Sequence, residues 1–362
     1  MTMFFRARFC RFAVLAACLA SAVVTSKAIL FYSTADPSHN TSPPTGTLAN
    51  SGWQFEGLWL IYLGTPIAPQ YFVTAKHVGG EVGNPFWLDG VPYTTVAYFD
   101  DPMTDLRIWR IQGMFPRWAP MFSSSDEVGQ NVVVIGRGTQ RGDPVYGAGK
   151  QAVLKGWLPG ASDGVERWGE NRVDSIEIGD AQSAYPGGEF LKCNFDAQGL
   201  SDEADLTAGD SGGAVFIQSA GVWKLAGINY AVDGQFNTEA TGPGFAASIF
   251  DAGGLYYGSE QKWTFVPENV VDQPTGFYAS RISARLSWIQ SVLSTPVPPV
   301  LESSASPTGP FQPVASATLD PATQTFRTPS PDHNQFYRIS SGSSLRITAI
   351  KLTSGQISIR YQ

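Results

Sequence analysis

The sequence is poor in residues that cross-link or ligate: its 362 residues include three cysteines and three histidines. Cys10 and Cys18 fall within the first 28 residues, so a chain that loses that stretch keeps Cys193 alone and has no internal disulfide. Its core must then be held by packing, which a chain of this length can supply, and Cys193 reads as a small buried apolar residue. Charged residues make up 15% and the formal net charge is -7, which argues against nucleic acid as a partner. After residue 28 no apolar run is long enough for a transmembrane helix, so no membrane span is expected. The adjacent acids Asp100 and Asp101 lack the alternating ligand spacing of a calcium loop and read as a solvated turn. No metal and no cofactor is expected.

What is present begins with a basic and then apolar leader. Arg6, Arg8 and Arg11 precede an apolar run from Phe12 to Val24, which ends in the small residues around Ser26-Lys27-Ala28. That pattern is a secretory signal peptide of the bacterial type over residues 1–28, with cleavage after Ala28, or alternatively after Ala22. Its removal takes away four positive charges and no acids, moving the net charge from -7 to -11. The mature chain is expected to be secreted or otherwise extracytoplasmic, in a periplasm or at a cell surface.

The chemistry centres on Thr207-Ala208-Gly209-Asp210-Ser211-Gly212-Gly213. A serine between glycines sits on a tight turn, where backbone N–H groups can converge on an oxyanion while the hydroxyl attacks a carbonyl. Such a nucleophile needs a base. His39 lies in a polar segment and His333 in Ser-Pro-Asp-His-Asn, so both read as solvated loop residues, whereas His77 ends the β-type run Tyr71-Phe72-Val73-Thr74-Ala75. Asp105, at the mouth of the apolar strand Leu106-Arg107-Ile108-Trp109-Arg110-Ile111, is a carboxylate able to orient that imidazole. Gly209-x-Ser211-x-Gly213 also fits an α/β-hydrolase elbow, but there the acid and the histidine follow the serine, and only His333 does so here.

At these three points the sequence resembles the chymotrypsin/trypsin-like serine endopeptidases: Val73-Thr74-Ala75-Lys76-His77, Asp105-Leu106-Arg107-Ile108 and Gly209-Asp210-Ser211-Gly212-Gly213 are similar to that family's histidine, aspartate and serine motifs, in its order. The resemblance implies an all-β fold of two six-stranded antiparallel barrels with a short C-terminal helix. It implies His77, Asp105 and Ser211 as catalytic triad, the N–H groups of Gly209 and Ser211 as oxyanion hole, and a polypeptide as substrate. Ile29, freed by cleavage after Ala28, would be placed to pair with Asp210. Asp205, six positions before the serine, would be the floor of the primary specificity pocket and favour Lys or Arg. Val232 would narrow the mouth of that pocket toward Ala-sized or Val-sized residues, and Gly276 would leave its back wall open. Tyr230 stands where the family has a serine touching the catalytic acid, and Val78 stands where a disulfide cysteine usually follows the histidine.

Along the chain, Leu58–Leu63 and Gln70–Ala75 read as a strand pair around a Gly-Thr-Pro turn, followed by strands at Tyr93–Phe99 and Leu106–Ile111. The second barrel is expected from near Gly129, with strands over Val132–Ile135, Arg172–Ile178, Ala214–Gln218 and Trp223–Tyr230. Residues 233–273 read as an inserted surface loop, and Ser283–Leu293 as the terminal helix. The expected division is therefore a protease domain over 29–293, a proline-rich linker over 294–299 and a small β module over 300–362. That module has short strand-like runs and a hairpin signal at Thr353-Ser354-Gly355, and no reactive cluster, so attachment to a cell surface or to another protein is its expected role. A catalytically inactive binding or adhesion protein on the same scaffold is the alternative to an enzyme.

Overall fold

The computed structural model describes residues 29–148, 153–295, 299–341 and 345–362. The leader over 1–28 and half of the proline linker, Pro296 to Pro298, lie outside the described residues. The described residues are mostly β, with one α-helix among them, Leu286–Leu293, after a 3-10 turn at Ser283–Arg285. Among the described residues no helix is long and apolar enough to cross a membrane.

Six strands close into a barrel in the order Gly57–Trp59, Tyr62–Ala68, Tyr71–Ala75, Leu106–Ile111, Val91–Asp100 and Pro85–Leu88. Alternation drives part of this: Pro85–Leu88 turns Phe86 and Leu88 inward and leaves Pro85 and Trp87 outside. The interior is aromatic, with Trp59 against Trp109 at 4.7 Å and Phe72 stacked on Phe86 at 4.1 Å. The expected Gly-Thr-Pro turn is instead part of a strand. The chain turns at Leu60-Ile61, where Leu60 takes a φ of 55°, and Pro66 sits at a bulge of the Tyr62–Ala68 ladder, where its missing N–H is tolerated.

The second half forms a seven-stranded antiparallel sheet in the order Arg167–Arg172, Asn131–Gly136, Ala214–Ser219, Val222–Val232, Gly276–Arg281, Glu189–Asn194 and Ser175–Ile178. Only one closed barrel is found among the described residues, where two six-stranded barrels were expected. Thr139–Tyr146 and Leu154–Ser162 leave this sheet, pair through a ladder broken by three register shifts, and bond to Ser248–Ile249. Ser248–Ile249 belongs to the segment expected to be a surface loop. That segment instead folds, with a three-stranded sheet (Gln235–Asn237, Tyr256–Ser259, Lys262–Phe265) and buried Phe236, Ile249 and Leu255 packed with Val145.

An N-terminal strap lies along the second half. Leu30–Phe31 pairs with Ala204–Asp205, and His39, expected to be solvated, bonds Asp202 at 2.6 Å with its ring against Phe31. Asp101 is likewise not a solvated acid: it is fully buried, accepting from Thr104 Oγ1 and from the Arg285 guanidinium that leads into the helix. Asp100 pairs with Arg107. Cys193 is buried and unpaired.

The C-terminal residues form a three-stranded and a four-stranded sheet around Leu301, Phe326 and Ile359. The hairpin expected at Thr353-Ser354-Gly355 forms with Ser354 and Gly355 both at positive φ, as a tight turn between paired strands requires. The module meets the barrel where Gln112 Nε2 donates to Glu302 Oε1 at 3.2 Å.

Candidate active site

The barrel supplies an imidazole and a carboxylate from adjacent strands. Ala75 is in register with Leu106, so the 3-10 turn Lys76–Val78 leaves its strand beside Asp105. Lys76 N donates to Asp105 O at 2.6 Å and His77 N to Asp105 Oδ1 at 3.1 Å, which fixes both residues through the backbone. His77 Nδ1 meets Asp105 Oδ2 in a short contact, and His77 Nε2 lies 2.8 Å from Ser211 Oγ. The carboxylate is 1% exposed and the imidazole 41%, so the pair offers a sheltered acceptor and an accessible ring.

Ser211 comes from the other half, on a turn pinned by Asp210 N to Thr207 O, Gly213 N to Asp210 O and Gly212 N to Asn229 O. Asn229 Nδ2 spans Asp210 O and Ile135 O. Gly209 has a φ of 104°, which admits a side chain only with strain. At Gly212, with a φ of 80°, a Cβ would stand 2.3 Å from Thr74 Oγ1 and 2.6 Å from Leu63 O, both in the barrel. Among the described residues the Gly209 and Ser211 amides donate to no protein acceptor.

Below the serine, Asp210 accepts from Gly138 N at 2.6 Å, Thr207 N at 2.7 Å, Thr207 Oγ1 at 2.9 Å and Ile29 N at 3.3 Å. Burial pushes its carboxyl up to about 6 against the pull of these donors.

A cavity of about 230 Å³ opens beside Ser211, lined mainly by apolar groups that include Leu206, Ala231, Val232, Ala246 and Ala247. Tyr230, Asn229 and Ser248 also line it. Asp205 is not on its surface: it lies behind, in the strap ladder opposite Leu30, with Leu206 N on Oδ1 at 2.8 Å and a bond to Ser248. Burial pushes Asp205 up to about 7. Gly276 is absent from the lining too, and its missing side chain answers to another need, since a Cβ would stand 1.9 Å from Cys193 O of the neighbouring strand.

Tyr230 stacks on Phe190 at 4.9 Å and sets its ring edge-on to His77 at 6.1 Å. The hydroxyl that reaches the acid belongs to Tyr185, 2.7 Å from Asp105 Oδ1. Nothing in the sequence around Tyr185 announces it except the glycines Gly179, Gly187 and Gly188 that bracket its loop. Ser248, also on the lining, stands in the stretch expected to be a surface loop and carries no local signal of its own.

Chemically, an accessible imidazole set between a buried carboxylate and a hydroxyl can take the hydroxyl proton as Oγ attacks a carbonyl. Fold and site together define a mostly-β chain with one closed barrel that presents serine, histidine and aspartate in hydrogen-bonded series. No family model matches the chain, and no curated protein matches it. Among solved structures it is similar to neuropsin, a serine protease expressed in the limbic system of mouse brain, at 14% identity over 68% of this chain and 96% of that chain, with a TM-score of 0.39.

Proposed function

We propose that the chain is a secreted serine endopeptidase of the chymotrypsin/trypsin-like type, with the seven-stranded sheet in the part of the second barrel. The observation that carries the reading is the series Ser211 Oγ, His77 Nε2, His77 Nδ1, Asp105 Oδ2, with the histidine and aspartate delivered by the barrel and the serine by the turn before a strand of the seven-stranded sheet. Ser211 Oγ attacks the peptide carbonyl and its proton passes to His77 Nε2. The oxyanion of the tetrahedral intermediate takes hydrogen bonds from the N–H groups of Gly209 and Ser211. His77 then returns the proton to the leaving amine, leaving an acyl group on Ser211. Water, deprotonated by the same imidazole, releases the acid. Asp105 holds the ring and stabilises its protonated form throughout.

The apolar lining of the cavity favours a small aliphatic side chain before the scissile bond over Lys or Arg, because Asp205 is screened by Ser248 and already bonded. Residues 1–28 act as a leader removed after Ala28, and the C-terminal module serves attachment. The test is labelling with a fluorophosphonate probe, with turnover of a small peptide ester alongside. Wild type should label; Ser211→Ala should not; Ser211→Ala and His77→Ala should each lose most turnover, and the double variant should be little worse. An unlabelled wild type without turnover would reject the reading in favour of an inactive binding protein, and additive losses would reject the triad.

A further inference from the structure

We infer that Tyr185 is a positioning residue for Asp105, an inference that rests on the endopeptidase reading. The Tyr185 hydroxyl donates to Asp105 Oδ1 at 2.7 Å, on the same oxygen that accepts His77 N–H. Oδ2 is thereby left to the imidazole. A buried carboxylate is directional only if its donors hold it, and here one of the two holding groups comes from the opposite half of the molecule.

The loop that delivers Tyr185 is built for a fixed reach. It runs between the strands Ser175–Ile178 and Glu189–Asn194 of the seven-stranded sheet. Its neck is closed by Gly179 N to Gly188 O at 2.9 Å and Gly187 N to Gly179 O at 2.7 Å, and Gly188 N donates to Tyr185 O at 3.0 Å. A Cβ on Gly179 would stand 2.1 Å from Tyr185 O; one on Gly188 would stand 2.3 Å from Met103 O, two residues before Asp105. Only a neck without side chains lets the loop lie this close to the aspartate turn. The phenol ring is set edge-on against Tyr230 at 5.7 Å, and Tyr230 is stacked in turn on Phe190. Lys76 Nζ lies 5.9 Å from the centre of the same ring. Burial first, and the Asp105 carboxylate second, hold the phenol proton well above its ordinary range, so Tyr185 remains a donor.

The bond from Tyr185 therefore crosses the same boundary as the contact between His77 and Ser211, and fixes the far end of the series to the sheet that carries its near end. Tyr185→Phe keeps the ring and removes the donor. It should lower kcat about tenfold, as expected for one hydrogen bond to a charged group, with KM within about twofold. The downfield proton resonance of the His77–Asp105 bond should shift in the same variant. Tyr278→Phe, which removes a hydroxyl from Asp233 elsewhere in the sheet, should leave both readouts at wild-type values. An unmoved resonance in Tyr185→Phe overturns the inference whatever the rate does, and a raised KM at unchanged kcat overturns it by making Tyr185 a substrate contact. Absence of turnover in the wild type would sink the endopeptidase reading alone, since the resonance still reports on Tyr185 in that case. Should Tyr185→Phe fold poorly, Gly188→Ala, which displaces the neck while keeping the hydroxyl, is expected to move the resonance too; no movement there counts against the inference.

Discussion

The backbone nitrogen of Ile29 lies 3.3 Å from Asp210 Oδ1, with both residues buried. When residues precede Ile29, that nitrogen is a neutral amide. When cleavage frees it, it becomes a cation next to a carboxyl that burial otherwise pushes up to about 6. A protein beginning at Ile29 should therefore exceed one carrying an added Met-Gly in both fluorophosphonate labelling and melting temperature. The gain should be on the order of 2 kcal/mol for a charged in place of a neutral donor. Equal behaviour of the two forms would show that the strap, and not the charge, holds the serine turn.

Specificity should follow the wall of the cavity. In a mixed peptide library, cleavage should favour Ala-sized and Val-sized residues before the scissile bond, and Asp205→Ser should leave that preference unchanged. Val232→Gly, which widens the lined space, should admit larger side chains. A preference for Lys or Arg that disappears in Asp205→Ser would place the carboxylate in the pocket after all.

Stability should fall as pH rises between about 5 and 8, because Glu56 and Glu166, together with Asp205 and Asp210, are carboxyls that burial keeps protonated in the fold. Glu56 Oε2 and Glu166 Oε1 are buried without hydrogen-bond partners. Burial pushes Glu166 up to about 8, partly opposed by Arg137, and raises Glu56 through burial and the nearby Glu166. For a raised carboxyl the stabilisation is full below the unfolded value near 4.5 and is lost as pH climbs through the folded one. Glu166→Gln should make the fall of melting temperature over this window shallower, by the share that Glu166 contributes. A slope unchanged by the substitution would assign the pH dependence to other groups.

The C-terminal module should be dispensable for chemistry. It touches the barrel at Gln112, while Asp105 stands at the opposite end of the Leu106–Ile111 strand, roughly 20 Å away at the rise of an extended chain. A chain ending at Thr295 should keep wild-type turnover of a small ester. A well-folded but inert product would show that the module shapes the site.

The sequence brought His77, Asp105 and Ser211 together because each sits on a local signal, a strand end or a glycine turn, and their order excluded the rival elbow. The strands Leu106–Ile111 and Gln356–Tyr361 were legible for the same reason, being set by their own residues. Tyr185 was not, since its role depends on where a ten-residue loop lands in space. His39 was misread because its partner Asp202 is 163 positions away. The folded insertion has no local signal because Phe236, Ile249 and Leu255 are spread through polar and glycine-rich chain and come together, with Val145, only once the strands pair. Asp205 kept its place in the spacing from Ser211, yet the strap and Ser248 removed it from the cavity surface, an effect no count of positions carries.

Gly212 rests against Thr74 and Leu63 with no room for a methyl group between the two halves. Any slippage there by the width of a side chain would stretch the 2.8 Å contact between His77 and Ser211 while leaving every strand intact. That contact is consequently a ruler for how closely the barrel and the sheet are seated: Gly212→Ala should lengthen it while circular dichroism stays unchanged.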